Sequence, residues 1–102
     1  MIIIEGWVRL APGELEKFLP VALKMVAETR KEAGCLDYAF ARDIGEPDLI
    51  RLIERWKDEA AVTAHFATPH MAAFNAALTT AKITGADVTA WSANLVRTVL
   101  KV

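Results

Sequence analysis

The chain has 102 residues, 54% of them hydrophobic, with 12 basic and 13 acidic side chains and a net charge of −1. That length predicts one domain, residues 1–102, able to bury roughly 65% of its unfolded surface without a metal or disulfide staple. A mean hydropathy of +0.26 excludes intrinsic disorder, the balanced charge excludes an electrostatic nucleic-acid or membrane-surface binder, and no apolar run approaches a ~20-residue membrane span.

Ile2 to Leu10 is β-branched and apolar and predicts a strand, ending at the breaker Ala11-Pro12-Gly13. The opening Met1-Ile2-Ile3-Ile4-Glu5 lacks the charged start of a signal peptide, which predicts a cytoplasmic location. Pro12 suits the first turn of a helix, where its missing N–H costs nothing. Leu15, Phe18, Leu19, Ala22, Met25, Val26 and Thr29 recur at three-and-four spacing, one helical face. Pro20 predicts a kink in that helix, and Gly34 its stop. Cys35 has no disulfide partner in the chain and reads as a small buried hydrophobe in a reducing compartment.

Over Cys35 to Asp43 the pattern alternates, with Leu36, Tyr38 and Phe40 pointing one way. The turn Asp43-Ile44-Gly45-Glu46-Pro47-Asp48 leads into a second strand, Leu49 to Trp56, which makes a hairpin. Asp58 caps a short helix carrying Val62, His65 and Phe66. Thr68-Pro69 opens another, with Met71, Phe74, Ala77, Leu78 and Ala81. Val88 to Leu100 predicts a final long strand. The order β-α-β-β-α-β is the ferredoxin-like arrangement of the α+β class. Helices cover one sheet face, yet strands one and three carry apolar residues on both. A solvated face should be polar, so the second face is expected to meet another copy of itself in a homodimer.

The chain has no Gly-rich phosphate loop, no CxxC pair and no acidic cluster, and the expectation is no cofactor. His65 and His70 stand five apart across Pro69, not the four that places zinc ligands on one helical face, so no metal site is expected. The aromatics converge near His65, which predicts a pocket walled by Trp56, His65, Phe66, Phe74 and Tyr38. His65 is the candidate base for a phenolic proton, or a histidine bonded locally. Trp56 offers a stacking surface and one N–H donor, or plain core packing. Glu54 shares the face of Leu52 and Trp56; it is a pocket carboxylate or, the better reading, half of an ion pair with Arg42 or Arg97. His70 belongs at the pocket rim or in solvent.

Three runs carry a family likeness: Glu32-Ala33-Gly34-Cys35-Leu36-Asp37-Tyr38, then Glu54-Arg55-Trp56, then Ala64-His65-Phe66-Ala67-Thr68-Pro69-His70, ending at Phe74. Together they resemble the antibiotic biosynthesis monooxygenase (ABM) family, which includes small quinol monooxygenases. The resemblance implies a ferredoxin-like protomer paired through its sheets into a dimeric α+β barrel. It further implies cofactor-independent oxygenation of an aromatic quinol or polycyclic phenol by dioxygen. His65 and Trp56 would then be catalytic, and Tyr38, Glu54, Phe66, His70 and Phe74 would contact substrate. The same fold also serves haem-degrading relatives and non-catalytic ligand-binding or stress-response modules, and fold alone does not choose among them.

Overall fold

A computed structural model describes residues 1–102. The elements run β1 (Ile2–Leu10), α1 (Glu14–Thr29), β2 (Cys35–Arg42), β3 (Leu49–Trp56), α2 (Glu59–Phe66), α3 (Pro69–Thr80) and β4 (Ile83–Ser92). The four strands form one antiparallel sheet in the order β2-β3-β1-β4. This is the expected ferredoxin-like α+β arrangement, with the second helical region split into two helices.

Ile2, Ile4, Val8 and Leu10 of β1 face the helices, as do Ile50, Leu52, Glu54 and Trp56 of β3. Two clusters fill this side. Leu10, Leu15, Phe18, Ala22 and Ile50 pack at one end, and Ile4, Met25, Tyr38 and Trp56 at the other. Phe40 and Phe74 touch both clusters and stack with ring centroids 5.8 Å apart.

Several expectations need correction. The last strand occupies Ile83–Ser92 rather than Val88 to Leu100. Its only partner is β1: Leu10 pairs with Ile83 and Ile2 with Ser92. A strand cannot outlast the neighbour that supplies its hydrogen bonds, and the bond from Ala93 N–H to the Met1 carbonyl is the last rung. Residues 93–102 have no regular secondary structure, and Leu95, Val96, Val99 and Leu100 are exposed. The β2–β3 register shifts between Cys35 and Asp37; the extra residue turns Leu36 outward, and Cys35 packs toward the core in its place. α1 begins at Glu14, after Pro12 rather than through it. Pro20, where the kink is expected, lies inside this helix on its exposed side. There water can serve the carbonyl that the missing N–H leaves unbonded. The outer sheet face is mixed rather than apolar: Ile3, Trp7, Ile53 and Trp91 alternate with Glu5, Arg9, Arg51 and Arg55.

Candidate active site

A cavity of about 220 Å³ lies between the inner sheet face and the helices. Thirteen of its fifteen lining residues are hydrophobic, which leaves Glu54 and His65 as its only charged or basic side chains. Tyr38, Phe40, Phe66 and Phe74 supply aromatic wall.

Local sequence explains how His65 gets there. Asp58 accepts a bond from Ala61 N–H at 2.8 Å and starts α2. His65 is the one fully buried residue of that helix. Thr68 then performs two tasks. Its hydroxyl donates to the His65 carbonyl at 2.7 Å and accepts from Met71 N–H at 3.2 Å, closing α2 and opening α3 at Pro69. The resulting corner brings the His65 and His70 rings to 5.9 Å between centroids. Five-residue spacing separates histidines on one helix, but here each sits on its own helix and the corner reunites them.

Both rings meet Glu32, in the turn between α1 and β2. Glu32 Oε2 lies 2.7 Å from His65 Nδ1 and 2.9 Å from His70 Nε2. An ionised carboxylate only accepts, so His65 presents Nδ1–H to Glu32, and in the neutral ring Nε2 is then the acceptor. Gly34 makes this contact possible. A side chain there would place its Cβ 2.3 Å from Ala61 Cβ, so only glycine lets the turn lie against α2.

The expected site residues fall into two groups. Tyr38, Glu54, His65, Phe66 and Phe74 line the cavity; Trp56 and His70 do not. Trp56 is completely buried behind His65, ring centroids 4.7 Å apart, and its Nε1–H donates to Glu54 Oε1 at 2.9 Å. Glu54 therefore has an indole for a partner rather than an arginine: Arg42 pairs with Glu16, and Arg97 lies in the exposed segment after β4. Burial raises the Glu54 carboxyl above the usual carboxylate range, opposed by the Trp56 bond and the nearby His65. Burial likewise raises the Tyr38 phenol and, with the charges of Glu32 and Glu54, the Cys35 thiol, which stays protonated. Sequence reasoning gave Glu32 no role. The available signal was physical: a histidine on the inward face of a short apolar helix needs a polar partner from outside that helix.

Comparison with known proteins agrees with this architecture. The family described as "Antibiotic biosynthesis monooxygenase" matches residues 1–77. The Bacillus subtilis (strain 168) protein "Putative monooxygenase YcnE" is 34% identical over 74 residues, covering 72% of this chain and 78% of that protein. "Probable quinol monooxygenase YgiN" of Escherichia coli (strain K12) is 33% identical over 88 residues, covering 76% and 85%. A crystal structure from Deinococcus radiodurans shares the fold with a TM-score of 0.88 at 24% identity, covering 99% of this chain and all of that one. With the matched segment running from β1 into α3 and holding every cavity-lining residue but Leu78 and Val88, the chain belongs to the antibiotic biosynthesis monooxygenase family.

Proposed function

We propose that this protein is a cofactor-independent monooxygenase of an aromatic quinol or related phenol. The observation that carries the reading is the His65 imidazole, oriented by Glu32 and lining a cavity that is apolar apart from itself and Glu54. A cavity of ~150 Å³ is enough for benzene, so about 220 Å³ suits a single substituted ring better than a polycyclic one. Nε2 takes the phenolic proton while Nδ1–H stays on Glu32, in the manner of a carboxylate-oriented base. The phenolate passes one electron to dioxygen, and the two radicals join at a ring carbon bearing hydrogen. That hydrogen and the phenolic proton leave with one oxygen atom as water, and the other oxygen remains as a quinone carbonyl. Dry walls keep the anion and the oxygen species from bulk water.

The reading includes a homodimer through the outer sheet faces. Support comes from Ile3, Trp7, Ile53 and Trp91 on that face and from the apolar residues after Ser92. Oxygen uptake with a panel of single-ring and fused-ring hydroquinones tests the activity. We expect turnover of single-ring members without added cofactor. Binding of a quinol with no oxygen uptake would instead identify a ligand-binding module.

A further inference from the structure

We propose that Glu32, His65 and His70 form a site for one divalent transition-metal ion, of the zinc, cobalt or iron(II) kind, set directly behind the cavity. The three ligand atoms, Glu32 Oε2, His65 Nδ1 and His70 Nε2, all lie within 4.8 Å of one another. They come from three separate places in the chain: the α1–β2 turn, the last turn of α2 and the first turn of α3. Each is held by other contacts. Thr68 fixes the helix corner, Gly34 seats the turn against α2, and Trp56 and Tyr38 flank the His65 ring at 4.7 and 5.8 Å.

The donor set names the ion class. Two imidazoles and one carboxylate suit zinc and its first-row neighbours, whereas magnesium and calcium want oxygen throughout. Bonds of about 2.0–2.2 Å put ligand atoms roughly 3.0–3.5 Å apart. Two of the separations, 2.7 and 2.9 Å, need to open by only a few tenths of an ångström. The Glu32 and His70 side chains are 15% and 14% exposed, which leaves a path for the ion and for water ligands. Charge and protons balance simply: each neutral imidazole moves its proton to its other nitrogen, and the carboxylate offsets one of the two positive charges.

That proton shift has a consequence for the cavity. Metal on Nδ1 obliges His65 to carry its proton on Nε2, so the nitrogen available to the cavity becomes a donor and loses its lone pair. A filled site is therefore a brake on His65 as a base. This consequence alone rests on the oxygenase reading; the site itself does not.

Chelator-treated protein titrated with cobalt(II) tests the site without any substrate. We expect visible d–d absorption that saturates at one ion per chain and persists under excess magnesium. Zinc should displace it. Glu32→Gln and His70→Ala should each weaken cobalt binding by at least ~10–100-fold, the loss typical of outer-shell partners alone, with far-UV circular dichroism unchanged. Absence of absorption at sub-millimolar cobalt, or a titration that His70→Ala leaves as it was, overturns the proposal and leaves a hydrogen-bonded triad only.

Discussion

His65 is buried to 1% exposure, and leaving such a polar ring unpartnered costs about 1–3 kcal/mol. Glu32 removes that cost and also chooses the tautomer, so one contact serves stability and chemistry alike. A positioned base is typically worth ~10²–10⁴-fold in rate; His65→Ala should lower oxygen uptake by that order while the quinol still binds. Wild-type turnover by His65→Ala would move the base to Glu54, the carboxylate of the cavity. Trp56 is different in kind. It touches no cavity space, so Trp56→Ala should chiefly destabilise, by about 3–5 kcal/mol for a buried aromatic, read as a lowered urea midpoint. Glu54 gives a pH signature. Its folded-state carboxyl is raised by burial, so above the ordinary carboxylate range the folded chain holds a proton the unfolded chain has released. Stability then falls as pH rises through that window. The stability of Glu54→Gln relative to wild type should accordingly grow from acid toward neutral pH in urea titrations, and a flat difference would refute the assignment.

Among the elements, the corner between α2 and α3 and the turn after α1 do the positioning. Gly34→Ala forces the turn from α2, because its Cβ would meet Ala61 Cβ at 2.3 Å. Overpacking of this sort costs about 1–3 kcal/mol, and the same movement separates Glu32 from His65. A matched drop in Tm and in oxygen uptake is expected. These elements also show which information the sequence carries. Alternation and capping residues located β1, β3, the helix starts at Asp58 and Thr68, and the cavity residues Tyr38, Glu54, His65, Phe66 and Phe74, because each signal is local. β4 was misplaced because its limits are set by β1, far away in the chain, and Val88 to Leu100 is as β-branched as a strand needs to be. Leu36 was misplaced because a one-residue register shift leaves no trace in composition. Glu32 and the partnership of the two histidines were illegible for the same reason: a corner is not visible in residue spacing.

At the scale of the whole molecule, the outer sheet face and residues 93–102 leave apolar surface with nothing in the protomer to cover it. On the proposed pairing, the full chain sediments as a dimer at low micromolar concentration, and a chain cut after Ser92 shifts toward monomer at the same concentration. A full-length monomer there would end the dimer reading. The strand order also has a kinetic meaning. β1 is central, bonded on one side to β3 and on the other to β4, and Ile2, which pairs with Trp56 on one side, finds its second partner only at Ser92. The earliest of the four strands in chain order is thus among the last to have both its neighbours in place. Closing so long a loop brings no reward until the final strand arrives, which places this chain among the slower small folders, in milliseconds or longer rather than microseconds. Until then an oily strand with one edge still open is what a chaperone would meet.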